Sequence, residues 1–548
     1  MILLISPILA MLVTILLVPV CMRWAEKMEL VDLPDERKVH QVSIPRIGGV
    51  AMGIGAMVPI LLWGPFSEEV VAILISAVTI LLFGLWDDKS NINFKMKIVG
   101  QLLASILLVS ASDIQVRSLP FMAGETLPDI IAVPLTIILL LGITNALNLV
   151  DGLDGLAGGT TLLAFGMITI MAVSANLYYI ALISLSVIGC ILGFLRFNTH
   201  PATIFMGDAG SQFLGFVIGA LVLWLAQHSQ PVMSPAMPLL LLGLPILDTC
   251  LVFTVRILQG KSPFAPDKNH IHHRLIDVGF SHYSSVVALY SLQAVFVFSA
   301  YQLRHASDLT IVLTYLYICA FVLVFLQTVK HRDKLLTSFS KRAYRKLIEV
   351  MRGVASNRTF QSLLSGLIAL TLPVFFACSF YFSDFSDKEV FGGGVLVGVV
   401  FLVAFGRVIQ KHPSLERLFN ILIYLLAIVS LFFTNSVTGE VAEAFSLVTS
   451  LLVYVIGFAL LVVVMGQSDA LFKTSPLDSL LILIALFVPN VPIADSVDFY
   501  SGAMIGKIII VLYAAEFFVR KSLMFSRIFK LGVFGSCLFL LSGVMGTL

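Results

Sequence analysis

Long apolar runs, separated by short polar segments, recur along the whole 548-residue chain. Hydrophobic residues make up 59% of it and charged residues 12%, against roughly 45–50% and about 25% in soluble globular domains. A helix needs about 20 apolar residues to cross the hydrocarbon core of a bilayer, where the backbone of an open sheet finds no hydrogen-bond partner at its edges. The pattern therefore predicts an all-α, polytopic integral membrane protein.

Eighteen of these runs have roughly the length of a membrane span, eleven before a basic segment and seven after it. The first eleven cover residues 2–22, 47–63, 69–86, 98–112, 129–148, 158–174, 177–195, 211–227, 237–256, 285–301 and 309–328. The last seven cover residues 361–382, 390–407, 418–434, 444–466, 477–490, 501–517 and 531–547. We expect the first run to be retained, because it is too long for the core of a signal peptide.

The positions of Lys and Arg indicate how these spans are oriented. If the N-terminus lies outside, the outer loops hold only Arg117, Arg304 and Lys388, and Lys507 falls inside a span. All other basic residues of the 34 then lie on the inner side. Cytoplasmic loops are enriched in Lys and Arg, so we expect both termini outside and the inner loops in the cytoplasm.

Five polar segments fall on this inner side, and the outer loops contain nothing comparable. The segments are residues 32–49, 86–97, 145–156, 197–211 and 261–275. The third reads "NALNLVDGLDGL" and places carboxylates, amides and glycines between two apolar runs. Such a composition is typical of a helix end and a tight turn beside a ligand. The sequence therefore predicts a functional site at the cytoplasmic membrane surface.

The side chains of these segments suit phosphoryl transfer. Hard oxygen ligands of the kind that Mg²⁺ prefers come from Asp87, Asp88, Asp151, Asp154 and Asp208. Positive charge comes from Arg37, Lys38, Arg46, Lys89, Lys97, Lys268 and Arg274, and further donors or titratable groups from His270, His272 and His273. Acids, a divalent ion and a cationic rim together describe a phosphoryl-transfer site, where positioning and charge neutralisation provide most of the rate.

Each signal taken alone has an ordinary alternative. An Asp-Asp pair at a helix end is commonly a solvated cap, and "DGLDG" is common turn chemistry. The "HIHH" run could bind Zn²⁺ by its ligand types, although its cationic loop favours an anion. "LQGKSP" is not a phosphate-binding loop, because residue 255 is Val where that motif needs Gly. The six Cys lie singly and predict neither a disulfide framework nor a metal site.

Taken together, the segments resemble the polyprenyl-phosphate N-acetylhexosamine-1-phosphate transferases. The resemblance rests on "DLPDERKVH…PRIGG", "DDK", "NALNLVDGLDGLAGG", "FN…PA.IFMGDAGS" and "HIHHRL" in this order, and covers roughly residues 1–330. It implies that a polyprenyl phosphate attacks the β-phosphorus of a UDP-N-acetylhexosamine, giving polyprenyl-diphospho-sugar and UMP. "HIHHRL" resembles the branch that uses donors of the UDP-GlcNAc type. For a bacterial inner membrane, undecaprenyl phosphate is the implied acceptor, and the reaction would begin a cell-envelope polysaccharide such as lipopolysaccharide.

The same resemblance implies roles for single residues. Asp208 matches the main Mg²⁺ carboxylate, with Mn²⁺ as an alternative ion, and Asn148 matches the residue that joins it on the metal. The pair Asp87 and Asp88 matches the acids that bind or deprotonate the lipid phosphate. Residues near the phosphates, the nucleotide and the sugar diphosphate are implied at Lys97, at Asp151 and Asp154, and at His270, His272, His273 and Arg274.

The remaining predictions concern partners and the rest of the chain. The expected partners are the UDP-sugar, the polyprenyl phosphate and membrane lipids, with no nucleic acid, and a homodimer is left open. We predict a transferase domain at 1–329, a linker at 330–360 and a membrane domain of unknown role at 361–548.

The linker carries nine Lys and Arg within residues 330–358. A stripe of apolar residues at helical spacing, from Tyr344 to Met351, favours an amphipathic helix on the anionic inner leaflet over a flexible basic tether.

Two other classes of protein remain possible at this level. A flippase or another transporter of lipid-linked sugars would explain the number of spans. It also predicts charged residues in mid-membrane, whereas this chain places its polar segments at one membrane surface. A non-catalytic membrane scaffold derived from a transferase would be expected to lack at least one of four polar residues, and all of them are present: Asp87, Asp88, Asn148 and Asp208.

Overall fold

The chain folds into two compact units in the computed structural model: residues 1–335 with 475–480, and residues 336–474 with 481–548. The structure describes residues 2–32, 43–122, 126–228, 233–262, 269–330, 357–381 and 442–465, together with isolated helical positions between 423 and 536. Each unit is described by itself below.

The first unit is almost wholly helical. Its helices are α1 (Ile2–Met28), α2 (Gly48–Trp63), α3 (Glu68–Ser90), α4 (Phe94–Ala111), α5 (Asp129–Val150), α6 (Leu156–Ser174), α7 (Tyr178–Asn198), α8 (Gly207–His228), α9 (Pro238–Leu241), α10 (Gly243–Leu258), α11 (Ile271–Asp277), α12 (His282–Gln302) and α13 (Asp308–Lys330). Two strands of two residues each, β1 (Val31–Asp32) and β2 (Ile44–Pro45), pair antiparallel. In the second unit, α14 (Arg358–Tyr381) packs against α15 (Ala442–Met465).

Ten helices among the described residues are long and apolar enough to cross a membrane. This confirms the all-α, polytopic class. The total of eighteen spans stays a prediction, because the runs at 390–407, 418–434, 477–490, 501–517 and 531–547 lie outside the described residues except for isolated positions. The predicted linker stripe, from Tyr344 to Met351, also lies outside them.

The predicted span 237–256 is wrong as a single helix, because α9 and α10 meet at a break at Leu242. Pro245 has no N–H and cannot continue the hydrogen-bond ladder from the preceding turn. Gln293 of α12 satisfies the polar groups that the break exposes. Its Nε2 donates to the carbonyl of Leu241 over 2.9 Å, and its Oε1 accepts from the N–H of Leu244 over 3.2 Å.

Helix α8 is the centre of the first unit, with 94% of its most apolar 18-residue stretch buried. Helices α2, α3 and α5 pack around it. Glycines permit the closest approaches: a Cβ on Gly49 would lie 2.1 Å from the backbone nitrogen of Gly210, and one on Gly84 would lie 2.4 Å from Cα of Ala209. The packing therefore brings the ends of α2 and α3 directly against the first turn of α8.

The short β hairpin fixes the chain between α1 and α2 to the loop before α8. The N–H of Phe205 donates to the carbonyl of Pro45 over 2.8 Å, and the N–H of Gly48 donates to the carbonyl of Phe205 over 3.0 Å. Arg46 lies between these contacts and forms an isolated bridge with Phe205. Its guanidinium is thereby placed beside the start of α8. The predicted cations Arg37, Lys38 and Lys268 lie outside the described residues.

Candidate active site

The carboxylate of Asp208 lies in the first turn of α8. The sequence placed this residue in a loop before a helix that begins near 211, which is wrong, because α8 begins at Gly207. Gly207 has a φ of +70°, and a Cβ there would lie 2.4 Å from Oδ2 of Asp88. Only glycine fits both conditions. The helix dipole in turn favours a negative charge in this first turn.

Asp88 binds the N-terminus of α8. Its carboxylate accepts the backbone N–H of Asp208 over 2.8 Å and that of Ala209 over 3.0 Å. The first N–H groups of a helix have no partner within the helix, so this buried side chain satisfies two of them. Arg46 Nη2 lies 3.7 Å from its Oδ1 and supplies the opposite charge. Asp88 therefore fixes the position of Asp208.

Asp87 faces a different partner, although it is the neighbour of Asp88 in sequence. Its carboxylate forms an ion pair with Nζ of Lys97, which also donates to Oδ2 of Asp208 over 2.9 Å. Successive residues of a helix point about 100° apart, which separates the two acids of the predicted pair. The turn between α3 and α4 returns the chain so that Lys97 meets Asp87. Lys97 thus connects two of the carboxylates predicted from the sequence.

Asn148 completes this group from the end of α5. Its Nδ2 donates to Oδ1 of Asp208 and to Oγ of Ser211, both over 2.7 Å. The sequence analysis missed Ser211, which lies one helical turn after Gly207 in "GDAGS". The signal was weak, because the predicted helix began only at residue 211 and the spacing from Gly207 becomes helical only in the observed α8.

A buried ladder of amides supports Asn148 from the adjoining turns. Asn145 Nδ2 donates to Oε1 of Gln101 over 2.7 Å, and Gln101 Nε2 donates to Gln212 over 3.1 Å. The sequence analysis named neither glutamine. Buried polar side chains that are fully paired in this way fix helices to one arrangement. The four residues Asp87, Lys97, Asn148 and Asp208 are called the carboxylate centre from here on.

The carboxylate centre fits a hard divalent cation. Asp208 and Asn148 supply a carboxylate and an amide that touch each other, and Mg²⁺ binds such oxygen ligands. The ammonium of Lys97 lies between two carboxylates, so the centre already favours positive charge at this point.

Asp151 and Asp154 have different surroundings. Asp151 caps the C-terminus of α5. Its burial, followed by the nearby negative charge of Asp208, raises its pKa to about 7. Asp154 accepts from Nδ1 of His200 over 2.7 Å and from the N–H of Ala202 over 3.2 Å. Burial is thus the main reason that Asp151 holds its proton, and the charge of Asp208 adds to it.

The histidine segment, residues 270–274, is anchored by a residue that was not predicted from the sequence. Asp248 of α10, which is 2% exposed, accepts from Nδ1 of His270 and from the N–H of Ile271, both over 2.7 Å. Its signal was a lone carboxylate inside an apolar run, which commonly marks a functional pairing. This anchor fixes the start of α11, which carries His272, His273 and Arg274.

Within this segment, His272 contributes no positive charge near neutral pH. Burial first, and then the neighbouring His273, lower the pKa of His272 to about 3. The ring lies against the turn after α5, since a Cβ on Gly152 would be 2.3 Å from its Nε2. The positive charge that the sequence predicts for this loop therefore does not come from His272. Arg274 remains cationic, and its Nε donates to the carbonyl of Asn269 over 2.9 Å.

Comparison with known proteins places this arrangement in a family. The family model "Glycosyl transferase family 4" matches residues 70–226. A probable undecaprenyl-phosphate N-acetylglucosaminyl 1-phosphate transferase of Bacillus subtilis is 39% identical over 348 residues, which cover 62% of this chain and 96% of the relative. The chain belongs to glycosyl transferase family 4. The resemblance drawn from the motifs is thereby confirmed.

Two further relatives each match about half of the chain. A decaprenyl-phosphate N-acetylglucosaminephosphotransferase of Mycolicibacterium smegmatis is 34% identical over 301 residues, or 49% of this chain and 74% of the relative. An undecaprenyl-phosphate alpha-N-acetylglucosaminyl 1-phosphate transferase of Escherichia coli K12 is 29% identical over 265 residues, or 47% and 72%. The whole carboxylate centre falls inside the family 4 match, whereas the histidine segment follows it along the chain.

Proposed function

We propose that this protein transfers N-acetylglucosamine-1-phosphate from UDP-N-acetylglucosamine to a polyprenyl phosphate, with undecaprenyl phosphate as the acceptor. The products are polyprenyl-diphospho-N-acetylglucosamine and UMP, and the reaction begins a cell-envelope polysaccharide. The observation that carries the proposal is the meeting of Asp87, Lys97, Asn148 and Asp208 near the ends of four helices. The names of the relatives support a polyprenyl phosphate as acceptor and N-acetylglucosamine phosphate as the transferred group.

Charge neutralisation is the main task of the carboxylate centre. Asp208 and Asn148 would hold Mg²⁺, which supplies Lewis-acid charge to the diphosphate when bound. Lys97 presents its ammonium to the phosphate oxygens, and Asp87 keeps that ammonium in place. Asp88 holds the first turn of α8, so that the carboxylate of Asp208 stays directed into the centre.

The acids need to remove few protons from the lipid phosphate. The second pKa of a phosphate monoester is about 6, so the acceptor is largely a dianion at neutral pH. Asp87 is paired with Lys97, which favours a role in orienting phosphate over one as a strong base. Orientation of the two reacting groups can by itself supply much of a rate acceleration.

The histidine segment selects the donor. Arg274 and His273 provide N–H donors for the sugar diphosphate, and Asp248 fixes the start of their helix through His270. His272, neutral and packed against Gly152, joins the segment to the turn that holds Asp151. We place the site at the cytoplasmic side of a bacterial inner membrane, in agreement with the basic inner loops of the sequence.

The test uses purified full-length protein in lipid nanodiscs with undecaprenyl phosphate. UMP release is measured with UDP-N-acetylglucosamine, UDP-N-acetylgalactosamine and UDP-MurNAc-pentapeptide, each in Mg²⁺, in Mn²⁺ and in a metal-free chelated buffer. We expect turnover with UDP-N-acetylglucosamine, and we expect this turnover to require a divalent ion. Asp113→Asn, which changes an exposed acid outside the centre, is the control. Folded protein that releases no UMP from any donor would contradict the proposal.

A further inference from the structure

A second cluster of metal-ligand type lies outside the carboxylate centre. One ring nitrogen from each of His200 and His282 and one carboxylate oxygen of Asp154 all lie within 4.8 Å of one another. The rings of the two histidines stack with their centroids 4.2 Å apart and their planes 24° apart. Nδ1 of His200 is 2.7 Å from Oδ2 of Asp154. We call these three residues the Asp154 cluster.

We propose that the Asp154 cluster binds a first-row transition-metal ion of the Zn²⁺ type. Two imidazoles and one carboxylate are a ligand set of zinc sites that keep a fourth position open. Imidazole nitrogen suits Zn²⁺, Cu²⁺ and Ni²⁺, whereas Mg²⁺ prefers the oxygen ligands of the carboxylate centre. Neighbouring ligands of tetrahedral Zn²⁺ are about 3.4 Å apart at the usual bond lengths, so binding would draw the three side chains together and turn the two stacked rings towards the ion.

The state of His282 is an independent reason for the assignment. Its Nδ1 is buried and has no hydrogen-bond partner within the part of the chain that the structure describes. A buried ring nitrogen that lacks a partner is unfavourable, and a metal ion bound to it would supply the missing partner. His282 is the first residue of α12, where the helix dipole disfavours an imidazolium and leaves the neutral form that binds metals.

An outer contact orients the carboxylate of the cluster. The backbone N–H of Ala202 donates to Oδ2 of Asp154 over 3.2 Å, which orients the carboxylate in the way that outer contacts orient metal ligands. His200 lies in the loop between α7 and α8, and Asp154 lies in the turn between α5 and α6. An ion here would therefore join two loops to the start of α12, next to the short helix that carries the histidine segment.

The experiment measures metal binding on full-length protein without any substrate, so its outcome is separate from that of the proposed function. Zn²⁺ stoichiometry is determined after removal of bound metal with a chelator, and Co²⁺ serves as a visible-absorption probe. His200→Gln and His282→Gln are compared with His228→Gln, which changes an imidazole in the last turn of α8. We expect wild type and the control to bind one more Zn²⁺ than either cluster variant.

The thermal transition gives a second measurement. Zn²⁺ at about 100 times its Kd stabilises a one-site protein by roughly 2.7 kcal/mol, so Tm should rise in wild type and control but not in the cluster variants. Should the variants fail to fold, wild type alone decides: Zn²⁺ should protect His200 and His282 from modification by diethyl pyrocarbonate, as mapped by mass spectrometry. Equal stoichiometry in all four proteins, or protection of His270 to His273 instead, would overturn the assignment.

Discussion

The carboxylate centre and the histidine segment are built in different ways. In the centre, helix ends are packed so closely that glycines such as Gly49 and Gly84 are required beside α8, and Lys97 and Asn148 each contact Asp208. The histidine segment is a short helix held by one buried carboxylate, Asp248. Sites on packed elements keep their geometry better than sites on loops. The difference supports our proposal that the centre performs the chemistry and that the segment selects the donor.

Among the changes that test this comparison, Asp208→Asn should reduce turnover most. It removes the central carboxylate while nearly conserving volume, so turnover should fall on the order of 10³-fold, as for the loss of other groups that stabilise developing charge. Activity is measured against Mg²⁺ concentration for Asp208→Asn, Asn148→Asp and the control Asp113→Asn. Asn148→Asp should keep metal binding at a lower rate. A wild-type Mg²⁺ response in Asp208→Asn would exclude this residue from the metal site.

Asp88→Asn and Asp87→Asn should separate stability from activity inside the centre. An amide at 88 would turn its NH₂ towards one of the N–H groups that the carboxylate now accepts. Leaving such a group unpaired costs about 1–3 kcal/mol, so Asp88→Asn should lower Tm more than Asp87→Asn. Both should slow UMP release. Equal losses of Tm would show that Asp88 does not hold the start of α8.

Arg274→Ala should act on the donor alone. Loss of a charge-assisted hydrogen bond to a diphosphate should raise the KM for the UDP-sugar by about tenfold, with little change in the KM for the polyprenyl phosphate. Lys261→Ala, an exposed cation of the preceding loop, is the control and should behave as wild type. An effect confined to the lipid KM would remove the histidine segment from donor binding.

Asp151→Asn should change the response to pH more than the rate. Burial raises the pKa of Asp151 to about 7, so the folded state holds a proton that the unfolded chain releases near pH 4. The unfolding free energy of wild type should therefore fall as pH rises from about 4 to about 7. Asparagine resembles the protonated acid. Asp151→Asn should match wild type in Tm at about pH 4 and below, and exceed it increasingly up to about pH 8. A constant difference between the two proteins would contradict the assignment.

Removal of residues 356–548 should have the smallest effect. Every residue of the carboxylate centre and of the histidine segment precedes residue 330. A chain that ends near residue 355 should fold and keep kcat/KM for UMP release close to that of the full-length protein. If it folds and is inactive while the full chain turns over, residues 361–548 contribute to the reaction itself.

The sequence predicted those features that depend on neighbouring residues along the chain. Bilayer thickness and hydrophobicity fix where spans begin and end to within a few residues, and the described helices confirm the class. The family resemblance was also visible in the sequence, because the five motifs occur along the chain in the order typical of the family. The break at Leu242 was missed, since its polar groups are satisfied by Gln293, about fifty positions further along.

Only the tertiary structure determines that Asp87 and Asp88 have different partners. The sequence presents two equal neighbours, and their partners are separated from them in the chain: Asp208 lies 120 residues from Asp88. The same holds for Asp248, whose place inside an apolar run gives no hint of His270. Side-chain type and spacing along one element determine which groups the membrane face carries. Which of them touch depends on how α3, α5, α8 and α10 pack, because only packing brings distant segments within hydrogen-bond reach.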